Sequence, residues 1–165
     1  MHMPKPVFLK GLFGSTLIVL VFSASLRAED TPALYPGFTA IEESMAFKRY
    51  LKRPSSDRSK LIFLIERFSA GDIDIEYNGY YFPAYVAGPF ARMFLSQNYK
   101  GQSVEEWILQ WCSRTIPKGQ LIHVKLPDGT LRLGREVLVE EMQVFEKALS
   151  QQPATDQPAV PSSPR

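Results

Sequence analysis

Ile73-Asp74-Ile75-Glu76-Tyr77-Asn78-Gly79-Tyr80-Tyr81-Phe82-Pro83-Ala84-Tyr85 is where the chain declares its architecture. Ile73, Ile75 and Tyr77 alternate with Asp74, Glu76 and Asn78, the period of a half-buried strand. Asn-Gly is the pair that most readily takes positive backbone angles, so a type I′ turn is expected at Asn78-Gly79, with Tyr80 to Phe82 folding back as a short second arm. Pro83 then sits where a first helical residue needs no amide proton.

Upstream of this point the pattern is helical. Thr39-Ala40-Ile41-Glu42 reads as a capping box, which predicts a helix from Thr39 to about Arg53 that is stopped by Pro54. Its apolar positions are Ile41, Met45, Phe47 and Leu51. Lys48, Arg49, Lys52 and Arg53 gather toward its carboxyl end, where they suit the helix dipole. Ser55-Ser56-Asp57 supplies the next cap, Leu61, Ile62, Ile65 and Phe68 follow at helical spacing, and Gly71 closes that helix.

Downstream, Gly88-Pro89 should kink or restart the helix after Pro83, with Phe90, Met93 and Phe94 as core candidates up to about Gln97. Ser103-Val104-Glu105-Glu106 is a second capping box, and Trp107, Ile108, Trp111 and Cys112 give the following helix an apolar face. Leu121 to Leu126 alternates again, Pro127-Asp128-Gly129 is a turn, and Thr130 to Leu133 can return as a hairpin partner. Leu138, Met142, Phe145 and Leu149 form the stripe of a last helix. These periods together predict an α+β fold, with a small antiparallel or mixed sheet of about three strands packed against four to five helices.

The ends are different in kind. Residues 1–28 read as a secretory signal, with Lys5 and Lys10 before an apolar run and small residues before Glu29-Asp30, and cleavage is expected after Ala28. An uncleaved amino-terminal anchor is the alternative, although 16 residues from Gly11 to Leu26 fall short of the ~20 that a spanning helix needs. Residues 29–38 form a linker, 39–149 the single domain, and 150–165 a proline-rich tail without core-forming periodicity. The whole chain of 165 residues carries a net charge of +2. Loss of Lys5, Lys10 and Arg27 with the signal leaves the exported form one negative charge from neutral. Bulk charge thus gives no argument for nucleic acid as a partner. Cys112 is the single cysteine, which excludes an intramolecular disulfide even in an oxidising compartment.

The middle of the chain resembles the YfeK-like family of small secreted bacterial proteins, a domain family of unknown function. The similarity rests on Tyr77-Asn78-Gly79, where the family usually has Arg-Asn-Gly, on Ala87 and Arg92 in the following helix, and on Ser103, Glu105, Trp107-Ile108, Ser113, Gly119, Val124-Lys125 and Pro127. It covers roughly residues 61–129. The family tends to have His-Leu where this chain has Phe90-Ala91, and a serine-rich run at Arg114-Thr115-Ile116, so no role is carried over from those positions. The resemblance implies a secreted α+β domain and brings no established activity.

Catalytic groups are sparse. A Cys112–His123 pair oriented by Glu105 or Glu76 would be needed for nucleophilic chemistry, yet His123 alternates with Ile122 and Val124 and is expected on the solvent side of its strand. His123, Cys112 and the scattered carboxylates lack ligand spacing, so neither a metal nor a cofactor is expected. Asp72, Asp74 and Glu76 form one polar strand face. No P-loop, dinucleotide fingerprint or serine elbow is present. What stands out is aromatic: Tyr77, Tyr80, Tyr81, Phe82 and Tyr85 lie within nine residues, more than one strand, turn and helix start can bury. Tyr77, Tyr80, Tyr81 and Tyr85, with Arg92 and Lys125 as polar neighbours, are the candidate contact residues for an envelope protein or glycan. Asn78 and Gly79 are the structural turn. Two other readings stand beside this one, a small envelope hydrolase using Glu76 or Glu105, and a peripheral membrane-surface binder using the basic cluster 48–53.

Overall fold

A computed structural model of the chain describes residues 34–152. The expected signal segment and cleavage site, the first part of the expected 29–38 linker and the expected tail from 153 lie outside the described residues. Among those described, no helix is long and apolar enough to cross a membrane.

The change of period at Ile73 builds the sheet. Strand β1 (Asp74–Tyr77) turns through Asn78 (φ 57°) and Gly79 (φ 85°) into β2 (Tyr80–Pro83), with Tyr77 paired to Tyr80. Both turn residues have positive φ, the requirement of a type I′ turn. On its other side β1 pairs antiparallel with β3 (His123–Lys125), which continues through Pro127-Asp128-Gly129 into β4 (Leu131–Leu133). Among the described residues the result is a four-stranded antiparallel sheet in the order β2-β1-β3-β4, with five helices. The short β2 arm is thus a full edge strand. Its outer edge is blunted by its four-residue length and by Pro83, which has no amide proton to offer another strand.

Alternation assigns the faces. Ile73, Val124 and Leu126 are buried on the side covered by helices, and Ile75 packs against them. Asp74, Glu76, His123 and Lys125 fall on the opposite side, as the sequence predicts for the polar face.

The helices are α1 (Met45–Tyr50), α2 (Asp57–Ser69), α3 (Ala84–Asn98), α4 (Val104–Trp111) and α5 (Gly134–Gln151). Ser56 caps α2, and the Ser103/Glu106 capping box opens α4 as expected. The first box does not form. Helix α1 starts at Met45 because Ser44, not Thr39, accepts the capping bond, from Phe47 N at 3.2 Å. Thr39 is engaged elsewhere: its Oγ1 accepts from Arg67 Nη1 and its carbonyl from Arg67 Nη2 at 2.6 Å. A hydroxyl satisfied by a buried guanidinium gains more than one capping a solvated turn.

Helix α3 also departs from expectation. It runs unbroken through Pro89, and Phe90 and Met93 face solvent instead of the core, Phe90 being 65% exposed. The buried side of α3 is set by Ala84, Gly88 and Leu95, and Gly88 brings the helix close against Ser69 of α2. A Cβ at Gly88 would meet Ser69 Oγ at 1.9 Å and Ser69 Cβ at 2.9 Å. An alanine there gains about 1 kcal/mol of helix propensity, but overpacking costs about 1–3 kcal/mol, and an encounter this close lies at the upper end. Gly88→Ala is therefore expected to destabilise the protein by about 1–2 kcal/mol in urea denaturation, with partial recovery in Gly88→Ala/Ser69→Gly.

Phe47, Tyr50, Phe63 and Phe145 form the centre of the helical layer, with the Phe63 and Phe145 rings stacked at 4.1 Å. A second aromatic group joins Phe94 and Tyr99 to Trp107 and Trp111. Part of the expected linker packs on the domain: Tyr35 is buried under the Arg132 guanidinium, and the Gly37 carbonyl accepts from Asp72 N.

Candidate functional site

The hairpin β1–β2 and the first turns of α3 carry the five aromatic side chains, and all five are exposed. Tyr80 and Tyr85 are the most open, at 67% and 69%. Tyr80 stands beside the turn at the end of the hairpin, and Tyr85 follows the buried Ala84 at the edge of a groove between α2 and α3.

The backbone divides these tyrosines among three settings. Tyr81 opposes Glu76 on the polar side of the sheet, where the Lys125 ammonium lies 5.5 Å from its ring centroid. That is within cation–π range. Tyr77 belongs to the other side and is tethered: its hydroxyl accepts from Ile116 N at 3.1 Å and lies 3.2 Å from the Ile116 carbonyl, to which it donates. Tyr77 thereby holds the 113–121 loop to the end of the hairpin. Tyr85 lies with Arg92 in a groove of about 420 Å³ between α2 and α3, with Arg49, Ile65, Glu66, Ser69, Gly88 and Pro89. The structure thus brings Tyr81 to Lys125 and Tyr85 to Arg92, and leaves Tyr80 at the tip.

Glu66 organises the groove. Its Oε1 accepts from Arg53 Nη2 at 2.6 Å and from Arg92 Nη1 at 2.8 Å. Burial works to raise the Glu66 carboxyl, but the hydrogen bonds and charges of Arg53 and Arg92 outweigh it and hold the group below the usual carboxylate range. Sequence spacing could not have found this trio, since its members stand 13 and 26 residues apart.

The residues considered for catalysis are arranged differently. His123 Nδ1 lies 2.9 Å from Glu76 Oε2 across the β1/β3 pair, yet Nδ1 lacks the alignment of a hydrogen bond. The two groups therefore stand close on the polar side of the sheet without forming a hydrogen bond. Glu105 is exposed on α4, and Glu106 is occupied in the capping box. Burial pushes the Cys112 thiol up to about 12, so it is protonated at neutral pH and a poor nucleophile.

One buried polar pair escaped the sequence reading. Arg67 and Glu141, from α2 and α5, meet at 3.0 Å with side chains 2% and 0% exposed. The signal was present, because Arg67 stands four residues after Phe63 and Glu141 four before Phe145, each on the apolar stripe of its helix.

Fold and surface define a small α+β domain whose sheet is packed by helices on one side and whose first hairpin presents aromatic side chains to solvent. Compared with family models, curated proteins and solved structures, the chain finds no match.

Proposed function

We propose that this chain is an exported, non-catalytic interaction module that engages an envelope protein or glycan through the aromatic residues around the first hairpin and the start of α3, Tyr80, Tyr81 and Tyr85, with Lys125 and Arg92 as polar contacts. The observation that carries the reading is the exposure of the hairpin aromatics, above all Tyr80 and Tyr85. Each large ring left in water forgoes roughly 1.5–3 kcal/mol of burial, and a partner that covers it recovers this. Tyrosine suits such contacts because its ring supplies area at low entropic cost while its hydroxyl remains satisfiable. The rigid type I′ turn and the Tyr77 tether preorganise the surface, which lowers the ordering cost of association. The envelope address rests on the signal-like residues 1–28 and on the resemblance to the YfeK-like family.

The test is capture from envelope extracts followed by identification of the retained partner. Tyr80→Ala and Tyr85→Ala are each expected to lose it while keeping the wild-type circular-dichroism spectrum. Retention of every partner by both variants would remove this surface as the site.

A further inference from the structure

The groove beside Tyr85 has a chemistry of its own. Arg49 and Arg92 line it with Glu66, whose carboxylate pairs with Arg92 and also with Arg53, a residue outside the lining, so these four side chains carry two positive charges in excess. Arg92 and Arg53 each spend one nitrogen on Glu66, and a guanidinium has five N–H donors. Arg53 Nη1 is buried without a hydrogen-bond partner. The Arg49 side chain, exposed near the end of α1, makes no ion pair or hydrogen bond among the described residues. Glu66 thus acts as a post that fixes two arginines and leaves donors unspent. Ile65, Pro89 and the Tyr85 ring make the apolar part of the lining, and the Ser69 hydroxyl beside them donates to the Ile65 carbonyl.

We infer that this groove binds an acidic peptide segment of a partner protein, its carboxylates forked by Arg49 and Arg92 and its intervening apolar side chains resting on Tyr85 and Pro89. The inference deepens the proposed binding function and rests on it for the protein nature of the partner. Planar guanidiniums match carboxylates bidentately and are less hydrated than ammonium groups. The lining sets guanidiniums beside Ile65, Pro89 and the Tyr85 ring, a mixture that suits a segment carrying both carboxylates and apolar side chains. Of the basic residues that the sequence gathers at the end of the first expected helix, Arg53 pairs with Glu66 of α2 and Arg49 lines the groove beside α3.

The test is a backbone amide titration of the ¹⁵N-labelled protein with a blocked peptide alternating glutamate and leucine, beside its glutamine counterpart, inorganic phosphate, and phosphatidylglycerol vesicles. The glutamate peptide is expected to shift Ser69, Tyr85 and Gly88. Arg49→Gln/Arg92→Gln should weaken it roughly tenfold or more, and Arg49→Gln alone, at an exposed residue without side-chain partners, should weaken it several-fold if the double variant does not fold. Equal binding of the glutamine peptide, wild-type affinity in the arginine variants, or no shift at these amides would overturn the inference. Preference for the vesicles would overturn it in favour of a membrane surface, and an equal response to phosphate would make the groove a general anion site. Tyr80→Ala separates the two readings. If the arginine variants keep the envelope partner while Tyr80→Ala loses it, the groove falls and the aromatic surface stands.

Discussion

Arg67→Met is expected to lower the unfolding free energy by about 3–5 kcal/mol at neutral pH, the cost of leaving a buried charge without its partner. In the folded protein Arg67 Nε donates to Glu141 Oε2 at 3.0 Å, its two terminal nitrogens hold Thr39, and its guanidinium lies 4.9 Å from the Phe38 ring centroid. One side chain therefore joins α2, α5 and the segment leading into α1. The variant strands Glu141, whose Oε1 already has no hydrogen-bond partner. Arg67→Met/Glu141→Leu should recover most of the loss, because apolar residues of similar volume often replace a buried ion pair at little cost. Urea denaturation of the three proteins checks both statements.

The pH dependence follows from the same pair. Burial raises the Glu141 carboxyl above its ordinary value, against the opposing pull of Arg67. The folded state then holds this proton more tightly than the unfolded chain does. Stability from Glu141 is present below the ordinary glutamate range and falls as pH rises through the raised folded value. Glu66 runs the other way: its lowered value adds stability above the ordinary range, lost as pH falls through the folded value. Arg67→Met removes the opposing pull on Glu141, so its stability should fall more steeply with rising pH than that of the wild type.

Phe145→Ala is expected to cost about 3–5 kcal/mol, the usual range for deleting a fully buried aromatic side chain. Phe145 is 0% exposed and its ring meets Phe63 at 4.1 Å, Tyr50 at 4.7 Å and Phe47 at 5.9 Å. Helices α1, α2 and α5 share this one ring, so the cavity cannot close by moving a single element. Phe145→Leu keeps most of the volume and should cost clearly less. Denaturation midpoints give the comparison directly.

The fold was legible where backbone chemistry is local. Asn78-Gly79 and Pro127-Asp128-Gly129 place the two hairpins, the Ser103 box places α4, and the Met142 and Phe145 stripe places α5, since each depends only on residues a few positions apart. The errors share a cause in tertiary competition. Thr39 was taken by Arg67, a residue 28 positions away, so its cap did not form. Phe90 and Met93 were read as core because they are apolar, but the close approach allowed by Gly88 fixed which side of α3 is buried. Leu121, read as the start of a strand, contributes one isolated bridge to Arg114, and β3 is confined to His123–Lys125. The aromatic residues of the hairpin were visible as a cluster, whereas their division between the polar sheet side, the loop tether and the α3 groove depends on register and helix direction. The Arg53–Glu66–Arg92 arrangement left no trace in spacing at all.

The most direct measurement is the affinity of a captured envelope partner for the wild-type protein and for Tyr80→Ala/Tyr85→Ala, with folding verified in both. Two interfacial tyrosines of hot-spot character carry roughly 2 kcal/mol or more each, so the account predicts a loss approaching about a thousandfold or greater. Equal affinity in the two proteins would contradict it.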